Sequence, residues 1–160
     1  DGYSSAGNIL SGKLLGAKAY RTLLQLGIKL LLYGLLFGGA LAILGFVFYG
    51  FIGKIFTKDI LVLDQFNLSF WVILLMQPFC AIAFIYDGIF KGMGEAKYLR
   101  NVLLLATSLV FIPILLLFDQ MNWKLYAIWI AFFAWIIARS IPLIFIFRKK
   151  FVPLASAMKK

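Results

Sequence analysis

The sequence predicts an all-α, polytopic integral membrane helix bundle with four complete spans and part of a fifth. Three observations predict it. The chain is 64% hydrophobic and only 14% charged over 160 residues, against about 45–50% apolar and about a quarter charged in an ordinary soluble domain. Its apolar residues fall in four long, nearly charge-free runs. Its basic residues gather in alternate connections between those runs.

The runs come in order. A bilayer core of about 30 Å takes about 20 apolar residues as a helix. Leu30 to Ile52, Phe66 to Tyr86 and Asn101 to Phe118 carry no charge, and Leu125 to Phe147 carries one, Arg139. Ahead of them, Gly2 to Gly16 is rich in small residues, which let helix backbones approach closely in a membrane. It reads as the last turns of a helix. Because the sequence opens at Asp1-Gly2-Tyr3 and not at Met, it reads as an internal cut, with the rest of that helix expected upstream.

Charge gives direction. One set of connections holds Lys13, Lys18, Arg21, Lys29, then Lys91, Lys97, Arg100, then Arg148, Lys149, Lys150, Lys159 and Lys160; the other holds Lys54, Lys58 and Lys124. Cytoplasmic connections collect Lys and Arg, so twelve basic residues against three put the C-terminus in the cytoplasm. Tyr49, Trp123 and Tyr126 near the outer ends, and Tyr20 and Tyr98 near the inner ends, fit the interfacial aromatic belts. The chain divides into a transmembrane part, residues 1–151, and a basic cytoplasmic tail, residues 152–160.

Several function classes fall away. The net charge of +10 is explained by topology, not by a basic polar face for nucleic acid. There is no histidine, and the single cysteine, Cys80, makes no disulfide or metal cluster within the chain. No phosphate loop, nucleophile motif or triad appears, so no enzyme, metal site or organic cofactor is expected.

The remaining candidates concern packing, bending and buried charge. Gly12/Gly16, Gly34/Gly38 and Gly88/Gly92 are GxxxG pairs suited to close helix contact. Gln77-Pro78 interrupts the second run, and Pro113 and Pro142 interrupt the third and fourth; each proline removes a helix hydrogen bond. Asp87 lies on a helix expected to continue to about Gly92, where a carboxylate is costly. It reads either as half of an ion pair with Lys91, one turn on, or as a protonatable or cation-binding group. Asp1, twelve residues before Lys13, falls about 18 Å from the boundary at about 1.5 Å per residue, near the midplane. Arg139 either snorkels inward or pairs with Asp1, Asp87 or a residue of the part expected upstream. Asp1, Asp87, Gln77 and Arg139 are therefore the candidate substrate- or ion-binding residues.

Two stretches resemble a known family. Ser11-Gly12-Lys13-Leu14-Leu15-Gly16-Ala17 resembles the end of the second helix in the C-terminal lobe of multidrug and toxic compound extrusion (MATE) transporters. Asp87-Gly88-Ile89-Phe90-Lys91-Gly92, followed by Arg100-Asn101, is similar to a signature of their DinF-like branch. Lys13 and Lys91 depart from the family pattern. The resemblance covers about Asp1 to Phe151 and implies the C-terminal part of a two-lobe antiporter in a bacterial inner membrane. That antiporter would export organic cations, drugs or other amphiphiles in exchange for H⁺ or Na⁺. Its partners would be the lipid bilayer, an N-terminal lobe of the same chain and a small-molecule substrate, and its coupling carboxylate is expected in that N-terminal lobe. A lipid-linked oligosaccharide flippase and a non-transporting membrane subunit are the alternatives.

Overall fold

The computed structural model describes residues 2–121, 123 and 125–157. The described residues are helical apart from short connections: α1 (Gly2–Gly16), α2 (Tyr20–Val47), α3 (Tyr49–Phe56), α4 (Ile60–Gly92), α5 (Ala96–Ala106), a π-helical turn (Thr107–Phe111), α6 (Ile112–Gln120) and α7 (Leu125–Ala157). Four units are long and apolar enough to cross a membrane: α2, α4, the α5–π–α6 rod and α7. At about 1.5 Å per residue, α4 and α7 are each about 50 Å long and overrun the apolar core at one or both ends.

The helix limits differ from the charge-free runs for a physical reason. The first span begins at Tyr20, ten residues before Leu30, and breaks at Phe48, short of Ile52. Arg21 and Lys29 lie on the exposed side of α2, so their charges interrupt the apolar run without interrupting the helix. The last helix likewise continues through Arg148–Lys150 to Ala157, past the start of the basic tail; residues 158–160 lie outside the described residues.

The two turns at the basic end share one geometry. Lys18 has φ +54 and Gly94 φ +73. Ala19 N–H donates to Leu14 C=O and Lys18 N–H to Leu15 C=O; Glu95 N–H donates to Phe90 C=O and Gly94 N–H to Lys91 C=O. This paired 6→1 and 5→2 bonding is the Schellman helix ending, which needs a left-handed residue. At the other end of the bundle, Asp59 caps α4 by accepting from Leu61 N–H at 2.9 Å.

α4 is the central helix. It runs parallel to α1 and α7 and antiparallel to α2, and all three pack on it. The stretch Ile85–Phe90 is consequently buried on every side, as expected for a helix covered all round. The glycines make the approach possible. On α2, Gly34 faces Ala81 and Ile85, Gly38 faces Gln77 and Pro78, and Gly45 faces Leu74. On α1, Gly12 meets the Gly92 carbonyl. On α4, Gly88 lies against the Ser4 backbone, and Gly92 against Asn8 and Ser11. Ser11 Oγ bonds the Ile89 carbonyl at 3.0 Å, fastening α1 to α4.

The packed core sits toward the basic end, with Leu23, Leu30, Tyr86, Phe90, Leu143 and Phe147 among its members. Phe147 is its pivot: its ring lies 5.6 Å from Tyr86 and 6.5 Å from Phe90, against Gly27 of α2. Toward the opposite end the helices expose Leu44, Phe46, Val47, Leu61, Leu109 and Leu117, surface suited to lipid chains.

Candidate functional site

The sequence places one acidic and one basic residue deep in apolar helices, and the fold brings them together. Asp87 of α4 and Arg139 of α7 form an ion pair, with each residue at most 7% exposed. α4 and α7 are parallel here, so two residues far apart in sequence reach one level of the bundle. Asp87 stands five residues before the end of α4 at Gly92, about 8 Å along the axis, directly after the charge-free run that ends at Tyr86.

Lys91, the neighbour favoured by spacing, is not the partner of Asp87. It is exposed, and among the described residues only Arg139–Asp87 and Lys150–Glu95 form ion pairs. The physical reason is coverage: α7 packs over the face of α4 that carries Asp87, and a buried carboxylate binds the cation that is buried with it. Arg139 therefore does not snorkel.

The pair is incompletely satisfied. Asp87 Oδ1 and Arg139 Nε are buried and have no hydrogen-bond partner among the described residues. The guanidinium is otherwise walled by aromatic rings, 5.2 Å from the Trp135 centroid and 5.8 Å from that of Phe84. Trp135 in turn donates from Nε1 to Thr107 Oγ1 at 3.0 Å. A chain of contacts thus runs from the third span through Trp135 and Arg139 to Asp87. Ser140, next to Arg139, donates to the Ile136 carbonyl at 2.7 Å and lies 3.4 Å from the Phe79 carbonyl.

Thr107 belongs to the π turn. Ile112 N–H reaches back five residues to Thr107 C=O, and Pro113 follows in the first turn of α6. A proline has no N–H for the carbonyl four residues back and its ring crowds that carbonyl; the wider π turn accommodates it. Pro113 thus sits at a change of helical pitch, a feature frequent at functional sites. Pro78 and Pro142 stay inside continuous helices.

Gln77 lies elsewhere, about three turns from Asp87 along α4. With Tyr3, Phe37, Cys80 and Phe84 it lines a cleft of about 290 Å³ between α1, α2 and α4. It is also the sole polar side chain of a wider apolar groove of about 500 Å³ toward α3. The cleft and the ion pair meet at Phe84, which borders the cleft and faces Arg139. Asp1 lies outside the described residues.

Of the packing glycines, Gly12, Gly34, Gly38, Gly88 and Gly92 all stand at helix contacts, but Gly16 has no neighbour within reach of a Cβ, because α1 ends there and turns away. The small residues of α1 that make the contact are Ser4, Gly7, Asn8 and Ser11 as well as Gly12; the small-residue character of Gly2–Gly16 indicated such packing but not which face carries it. Among the described residues no metal-ligating cluster occurs.

Comparison with known proteins agrees with this architecture. Residues 2–117 match the MatE family model. The chain is similar to Protein DETOXIFICATION 42 of Arabidopsis thaliana, 30% identical over 114 residues, covering 71% of this chain and 21% of the relative. The chain thus spans about a fifth of the length of that relative. With a family match over most of its length, and with its multi-pass helical bundle, the chain belongs to the MatE family.

Proposed function

We propose that this chain is the C-terminal transmembrane part of a secondary active antiporter of the DinF-like branch, exporting organic cations or other amphiphiles in exchange for H⁺ or Na⁺. The observation that carries the proposal is the buried Asp87–Arg139 pair, which ties α4 to α7 and leaves Asp87 Oδ1 without a protein partner among the described residues. A cation entering at Oδ1 competes with Arg139 for the carboxylate and loosens α7 from α4. A ligand shifts a conformational equilibrium only by its differential affinity for the two states, and such a competition supplies that difference. The aromatic cleft beside Phe84, with Gln77 as its polar group, fits an amphiphile: aromatic faces attract organic cations.

Membership in the family and the Asp87–Phe90 and Arg100–Asn101 motifs support the branch. The charge asymmetry supports a bacterial inner-membrane orientation with a cytoplasmic C-terminus. The flippase reading needs a cationic cavity for a pyrophosphate; Arg139 is already neutralised by Asp87 and Lys91 is exposed outside the cleft, which favours the antiporter.

The test is dye efflux from energised whole cells carrying the intact protein. Asp87→Asn is expected to abolish efflux when compared at equal amounts of folded protein, since the substitution also leaves Arg139 unpaired. Efflux unaffected by Asp87→Asn removes Asp87 from coupling, and transport of a lipid-linked sugar without dye efflux selects the flippase.

A further inference from the structure

The first two helices and the turn between them carry four cations, Lys13, Lys18, Arg21 and Lys29, and no acidic residue occurs between Gly2 and Lys58. The acidic groups at that end of the bundle are committed elsewhere: Asp87 to Arg139 and Glu95 to Lys150. Two of the four cations flank one groove of about 370 Å³ between α1 and α2, Lys13 on one wall and Lys29 on the other. Thr22 and Gln25 add a hydroxyl and an amide, and Leu10 and Leu14 add apolar surface.

Depth sharpens the picture. Lys13 ends the charge-free stretch of α1, residues 2–12, and Lys29 immediately precedes the charge-free stretch that begins at Leu30. Each lysine is the first charge met on leaving the apolar run along its helix, and Lys29 stands deeper than Lys13, since its neighbour Leu30 packs at Gly7 of α1. Topology rules explain why lysines lie on this side of the membrane. They do not explain why two of them, with hydrogen-bonding side chains between, border one apolar-floored groove.

We propose that this groove is a binding site for an anionic phospholipid of the adjacent leaflet, its phosphate held between Lys13 and Lys29 and an acyl chain laid along Leu10. Basic pockets between membrane helices suit such headgroups. Thr22 and Gln25 donate to the phosphate and glycerol oxygens. The lipid is a bound cofactor of the fold here, wedging α1 against α2, and the site is separate from the Asp87 pair and stands whether or not that pair couples transport.

The test uses the intact protein in detergent micelles, titrated with phosphatidylglycerol or with phosphatidylcholine, bound lipid being counted by native mass spectrometry. The wild type is expected to retain phosphatidylglycerol preferentially. The Lys13→Gln/Lys29→Gln variant is expected to lose about 30-fold in affinity, from about 1 kcal/mol per basic residue near an anionic surface. Lys54→Gln, at the opposite end, is expected to leave binding unchanged and controls for general charge loss. The single variants Lys13→Gln and Lys29→Gln, each expected to lose about fivefold by the same measure, serve if the double variant does not fold. Equal retention of both lipids overturns the proposal, as does affinity unchanged in the lysine variants. Displacement of the lipid by millimolar inorganic phosphate also overturns it, in favour of a free-anion site.

Discussion

The carboxylate of Asp87 and the guanidinium of Arg139 are each other's sole charged partner among the described residues, and they join α4 to α7 in the interior of the bundle. A pair of this kind is costly to break and not necessarily costly to replace: removing one partner of a buried pair costs about 3–5 kcal/mol, whereas exchanging both for apolar residues is often neutral. Asp87→Asn and Arg139→Gln are therefore each expected to lower thermal stability strongly, and Asp87→Leu/Arg139→Met to recover most of it. Melting in detergent checks the stability. Transport separates the roles: the apolar double variant is expected to be folded and inactive. Full transport by that variant would reduce the pair to a structural tie.

The α1–α4 contact gives a second prediction. A methyl group at Gly88 meets the Ser4 backbone, and one at Gly92 meets the backbone of Asn8, while one at Gly16 meets nothing. Backbone cannot yield as a flexible side chain can. Gly88→Ala and Gly92→Ala are each expected to cost about 1–3 kcal/mol, the usual range for overpacking. Gly16→Ala is expected to be harmless. Melting in detergent of the three variants checks these costs.

The contrast between these residues shows what was legible in the sequence. The spans were legible because the bilayer demands uninterrupted apolar length, and four such stretches are difficult to make otherwise. The start of α2 was not, since Arg21 and Lys29 end the apolar run while their stems allow the helix to continue into the headgroup region. Gly88 and Gly92 were legible as small residues at helical spacing, but so was Gly16, and only the turn after α1 separates them. Asp87 and Arg139 were each visible as misplaced charges. Their partnership was one alternative among several, because it depends on which face of α4 is covered by α7, and local spacing pointed also to Lys91.

The third prediction concerns the two turns at the basic end, which adopt the same left-handed geometry with different residues, Lys18 in one and Gly94 in the other. A side chain in that conformation costs roughly 1–2 kcal/mol relative to glycine. Lys18→Gly is expected to stabilise the α1–α2 turn and Gly94→Ala to destabilise the α4–α5 turn, with shifts in melting temperature of opposite sign. The same sign for both would show that side-chain contacts outweigh the backbone at these turns.

The fourth prediction tests orientation. Lys58 lies in the connection before α4 and Ser156 near the end of α7, both exposed and at opposite ends of the bundle. In a protein whose native thiols, Cys80 of this chain among them, have been replaced by alanine, Lys58→Cys is expected to react with a membrane-impermeant maleimide in intact cells. Ser156→Cys is expected to react only after the membrane is opened. The prediction rests on the excess of Lys and Arg at the α7 end, since the bias in such residues sets which side of the membrane a connection occupies. The reverse pattern of labelling would turn the bundle over. It would place Lys13 and Lys29 in the opposite leaflet and bring the Asp87–Arg139 pair nearer the outer surface than the inner, so that an inward-driven cation would meet it on entry and not near the end of its path.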